Sequence, residues 1–97
     1  MNTKRIAENE SILDDTVAAI GDLNAQLQRM EELRERMISL FEYYGSEAWY
    51  EDRDGDLPEG MKAGVLSEDL VYDAITGLRD TAFRMLEMGT DILKNRI

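Results

Sequence analysis

Between Thr3 and Tyr44 no proline interrupts the chain, and the apolar residues return every three, four or seven positions. The series is Ile6, Leu13, Val17, Ile20, Leu23, Leu27, Met30, Leu33, Met37, Phe41 and Tyr44. That period is the signature of one face of an α-helix. The only weak residue is Gly21, which costs about 1 kcal/mol relative to alanine in a helix interior. One helix over about 3–44 is expected, about 60 Å long at 1.5 Å per residue. A rod of that length has to hide its apolar stripe against something.

The second half of the chain holds a tighter pattern. Val71, Ile75, Leu78, Ala82, Met85, Gly89 and Ile92 step alternately by four and three, a seam kept over three heptads. Phe83, Leu86 and Leu93 widen it. Ser67 is placed to cap this helix, its hydroxyl accepting from the amide of Asp69 or Leu70. Glu68 and Asp69 sit in the first turn, and Lys94 and Arg96 in the last turn, each the favourable sign for the helix dipole. Leu66 can staple to Val71. The spacing predicts a helix over about 68–95. The connector, 45–66, is too long for a plain turn. Gly45 suits the left-handed residue that ends the first helix. Ser46 can cap a short helix over about 47–52, and Pro58 opens a further turn around Pro58–Lys62.

The fold expected is all-α: an antiparallel hairpin of two long helices within a single domain, 1–97. Pairs whose numbers sum to 112 bring Leu27 to Met85 and set large residues on small ones, Met30 on Ala82 and Leu23 on Gly89. A slide of one heptad obeys the same periodicity. Ile6, Ile12 and Leu13 overhang the second helix in that register. Leaving them in water is unfavourable by about 25 cal/mol per Å². Two hairpins joined as a four-helix bundle remove the cost, so a homodimer is expected.

Five of the seven aromatic residues fall in FEYYGSEAWY, Phe41–Tyr50. At the closed end of a hairpin two helices leave an apolar mouth. Phe41 and Tyr44 lie on the inner stripe, and Trp49 and Tyr50 follow on the short helix, able to fold over it. Tyr43, Gly45 and Ser46 complete this motif. A lid on the core is the expected role, with the exposed tyrosine hydroxyls as the binding alternative.

Composition narrows the function. The chain has no cysteine and no histidine, so thiolate chemistry, disulfides and the commonest general base are absent. Net charge is −10, which disfavours nucleic-acid backbones and anionic membranes. Residues 46–73 hold nine acids against Arg53 and Lys62. A solvated acidic segment is the plain reading, and a basic protein partner or a cation the sharper one. No signal peptide or membrane span is visible, so a cytoplasmic location is expected.

The stretches YYGSEAWYED, LPEGMKAGVLSED and VYDAITGLRDTAFRMLE together resemble the small bacterial proteins grouped as domain of unknown function 4298. Two motifs mark that family: Tyr-Tyr-Gly-Ser, here Tyr43–Ser46, and Gly-Val-Leu-Ser-Glu-Asp, here Gly64–Asp69. The resemblance covers essentially the whole chain. It implies a small bacterial helical protein and carries over no activity and no catalytic residue.

Three chemistries compete with a solvated surface. Asp52, Asp54 and Asp56 alternate as calcium ligands can. An EF-hand beginning at Asp52 needs Gly and Glu where Leu57 and Ala63 stand. Glu31, Glu32 and Glu35 match the Glu-Glu-x-x-Glu element of all-α nucleotide pyrophosphohydrolases of the MazG family, which hold Mg²⁺. Glu68 with Asp73, and Glu87 with Asp91, do not have the spacing of the second element, Glu-x-x-Asp. On a charged helix the same residues serve as a solvated face with pairs such as Glu32 with Arg36. Lastly, the acidic segment suits a decoy that occupies a basic groove. The reading adopted is a non-enzymatic interaction or self-association module without cofactor.

Overall fold

The computed structural model describes residues 1–95, and they are all-α. Helix α1 spans Thr3–Tyr43, α2 spans Glu47–Asp54 and α3 spans Glu68–Leu93, with a single 3₁₀ turn at Gly64–Leu66 before α3. No strand occurs among the described residues. Packing separates the chain into two units, Met1–Met37 and the part from Ile38 onward.

The first unit is one stretch of α1. Asn2 starts it: its side-chain oxygen accepts from the Arg5 amide at 3.0 Å, and its carbonyl from the Ile6 amide at 3.1 Å. That cap satisfies an amide that has no partner inside the helix. Asn9, Thr16 and Asn24 bond back to the carbonyls of Arg5, Ile12 and Ile20, four residues earlier. Glu32 accepts from Gln28 at 3.2 Å instead of pairing with Arg36, as the sequence suggested. Both partners of that contact are neutral or solvated, so little energy separates the alternatives. No residue of α1 is buried.

In the second unit the chain reverses. Gly45, at φ +76°, takes the left-handed conformation that ends α1, and the Ser46 amide donates to the Tyr43 carbonyl at 3.0 Å. A side chain at that φ is strained, which is why glycine is used. Ser46 then caps α2 by accepting from the Trp49 amide at 3.2 Å. α2 continues to Asp54, two residues past the expected Asp52. A turn follows in which Met61 donates to the Pro58 carbonyl with Gly60 at φ +80°. Residues 51–62 are all exposed.

α3 starts at Glu68, as expected, and differs in the bonding of its cap and in its last residues. Ser67 has the extended backbone of a cap, φ −79° and ψ 128°, yet its hydroxyl makes no capping bond. The end comes at Leu93, because Asn95 turns left-handed at φ +59° and donates to the Ile92 carbonyl. Asparagine tolerates that conformation better than other side-chain-bearing residues. Lys94 is therefore the cap and not part of the last turn; Arg96 lies outside the described residues. Along the seam of α3, Val71 is buried and Ile75, Leu78 and Gly89 are half-buried. Ala82, Met85 and Ile92 are exposed. Burial is thus heaviest at the start of α3, where the connector packs.

Candidate functional site

The connector folds around one side chain. Trp49 is 1% exposed and Val71 4%, and no other described residue is buried. The sequence suggested a lid laid over a core; the indole is itself the centre of that core. α2 is only two turns long, and its Ser46 cap sets the direction in which Trp49 leaves the helix. Tyr44 meets the indole edge-on, with ring centroids 5.3 Å apart at 71°. Tyr50 meets it at 4.9 Å and 82° but remains 51% exposed, so it flanks the indole and does not seal it. Phe41 and Tyr43 are half-buried. Edge-to-face pairs of this kind are worth about 0.5–1.5 kcal/mol beyond the area they bury.

Polar groups around the ring tie the two sequence motifs together. The Trp49 Nε1–H donates to the Val65 carbonyl at 3.0 Å, and the Tyr44 hydroxyl donates to the Glu68 carbonyl at 3.0 Å. Ser46 donates its hydroxyl to the Tyr43 carbonyl at 2.6 Å while accepting from Trp49. Arg53 lies 5.3 Å over the indole and pairs with Glu68 at 2.7 Å. That ion pair is open to water on both sides, so it adds at most about 1 kcal/mol. Gly64 lies close to Leu70: a Cβ there would stand 3.2 Å from Leu70 Cδ1, which would have to shift by a few tenths of an ångström. Thus Tyr43–Ser46 and Gly64–Asp69 are two halves of one corner.

Sequence reasoning found Trp49, Tyr44, Gly45 and Ser46. It missed Arg53, although a base within so acidic a run was a usable signal. It had no means of finding the Val65 and Glu68 carbonyls, since every residue but the acceptor's position looks alike in the main chain.

The Tyr43 hydroxyl donates to Asp52 Oδ2 at 2.5 Å. This bond, then desolvation, then the carboxylate's charge, hold the Tyr43 phenol above its ordinary ionisation range. Asp52 is therefore spoken for. Asp54 and Asp56 do not join it in a cation site, and among the described residues no three acids gather into a group able to hold a metal. Glu31, Glu32 and Glu35 are likewise exposed on α1 without a second acidic element beside them.

The other feature is the stripe on the first unit. Ile6, Leu13, Val17, Ile20, Leu23, Leu27 and Met30 are between 37% and 60% exposed. All but Val17 fall on the two seam positions of a heptad frame. Ile6, Leu13, Ile20, Leu27 and Arg34 hold one seam position, and Asn9, Thr16, Leu23, Met30 and Met37 the other. Among the described residues no helix is long and apolar enough to cross a membrane.

A pair of long helices joined through a connector wrapped on one tryptophan is the class this geometry defines. The chain belongs to the family described as Domain of unknown function (DUF4298), whose model matches residues 6–88. That span includes both halves of the corner and the whole stripe. No curated protein and no solved structure matches the chain.

Proposed function

We propose that the chain is a non-enzymatic self-association module: its surface of function is the stripe of α1, and its partner a second copy. One observation carries this reading. Seven large apolar side chains at helical spacing stand in water over Ile6–Met30, on a helix with no buried residue. Contiguous exposed apolar surface of this kind marks an interaction site. An isolated helix is also marginal in water, so a long one needs packing to persist. The corner at Trp49 serves the module by fixing how α1 ends.

The test is mass by light scattering or sedimentation at tens of micromolar. A dimer is expected. Replacing Ile20 and Leu27 by glutamate should convert it to a monomer. A wild-type monomer overturns the reading.

A further inference from the structure

The stripe of α1 also carries information about direction. This deepens the self-association reading and rests on it. We infer that two copies pair through α1 in antiparallel orientation, in the register where residue numbers across the seam sum to 43.

Charge decides the direction. Glu8, Glu10, Asp14, Asp15 and Asp22 give five acids and no base over 8–22. Residues 29–36 hold Arg29, Arg34 and Arg36 against three glutamates, a net charge of zero. Only Glu10 flanks the seam; the other four acids lie on the outer face of the heptad frame. Antiparallel pairing sends the two copies of Arg34 to opposite ends, each level with Asn9 of the second copy. Parallel pairing places Arg34 next to Arg34 at a seam position. Like charges set side by side in a helix pair select against that arrangement.

Polar seam positions decide the register. In the sum-43 alignment Ile20 meets Leu23 of the second copy, Leu13 meets Met30 and Arg34 meets Asn9. Arg34 and Asn9 thus share one level at each end, while Thr16, the third polar seam residue, meets Leu27 with its hydroxyl already donated to the Ile12 carbonyl. The free groups of Arg34 and Asn9 are complementary. The Asn9 amide already donates to the Arg5 carbonyl at 2.9 Å, which leaves its side-chain oxygen to accept. Among the described residues Arg34 has no acid within 4 Å. A buried polar level of this type fixes register in helix pairs. A slide of seven residues toward sum 36 sets Asn9 against Leu27 and Arg34 against Asn2. A slide toward sum 50 draws in Tyr44, which is committed to Trp49 and the Glu68 carbonyl. Sum 43 pairs every seam level from Ile6 to Met37 inside the first unit, whereas sum 36 leaves Met37 without a partner.

The chain has no cysteine, so disulfide trapping is clean. Leu13→Cys and Met30→Cys proteins are mixed, unfolded, refolded together and oxidised with copper phenanthroline, beside a mass measurement of each. The expected result is a dimer whose main product is the mixed Leu13→Cys/Met30→Cys disulfide. Ala19→Cys with Gln26→Cys repeats the test at flanking positions, leaving the apolar seam intact if the first pair unfolds. Arg34→Leu should erode the preference for the mixed product. A dimer that instead links Leu13→Cys to itself overturns the direction while self-association stands. Preferred linkage of Leu13→Cys to Leu23→Cys overturns the register alone. A monomer removes both this inference and the reading beneath it.

Discussion

Trp49 is the residue on which the second unit depends. Its ring supplies most of the fully enclosed volume, and its N–H holds the Val65 carbonyl. Trp49→Ala should cost about 3–5 kcal/mol, the usual loss for a large aromatic core residue. Trp49→Phe keeps a ring but loses the donor, and should cost nearer 1 kcal/mol from the hydrogen bond. Urea unfolding followed by far-ultraviolet circular dichroism separates the two. No loss in Trp49→Phe would show that the indole N–H contributes nothing, and a loss equal to that of Trp49→Ala that the ring without it contributes nothing. Tyr43 gives a pH test at the same scale. Its phenol is held above the ordinary value of about 10, so the folded state keeps its proton longer than the unfolded chain does. The stabilisation is fully present below the unfolded value and is lost as pH rises through the folded one. Stability should therefore fall in alkali, and Tyr43→Phe should flatten that fall. Melting temperatures of both proteins between neutral and strongly alkaline pH read it out; parallel curves would exclude a role for the Tyr43–Asp52 bond.

At the scale of elements, two serines in similar sequence settings behave differently. Ser46 accepts from the Trp49 amide and donates to the Tyr43 carbonyl, so Ser46→Ala removes both bonds. A loss of about 1–2 kcal/mol is expected. Ser67 caps by position only, and Ser67→Ala should change the unfolding midpoint little. A larger effect at Ser67 than at Ser46 would contradict this geometry. The contrast also marks what could be read in the sequence. Helical period, an unbroken run without proline and the Gly45–Ser46 pair were enough to place α1 and α2. They are local signals, and local hydrogen bonds answer them. The Ser67 hydroxyl was not legible, because serine before an acidic turn looks the same whether or not its rotamer reaches the amides. The exact end of α3 was not legible, because asparagine can either continue a helix or turn left-handed and stop it, as Asn95 does. The corner was half legible. Its aromatic content announced a core, but the acceptors are main-chain carbonyls set by how the connector folds.

The whole molecule combines a small unit built on Trp49 with a long helix that buries nothing in its first unit. Those two parts should respond differently to concentration. Helix formation in an isolated segment is cooperative but marginal, and tertiary burial normally supplies its stability. If a second copy provides that burial, mass action makes the helicity of the first unit depend on protein concentration. Diluting from about 100 to about 1 μM should lower the helical circular dichroism signal as the pair dissociates. Fluorescence from the single tryptophan should stay as it was, since Val65, Tyr44 and Arg53 belong to its own unit. The net charge of −10 adds a second handle. Salt screens repulsion between exposed charges, so raising it should shift the dilution midpoint to lower concentration. Loss of tryptophan signal in step with helicity would mean that the corner itself needs the second copy. Helicity unchanged on dilution would mean that α1 stands without a partner, and the case for the stripe as an association surface would fall with it.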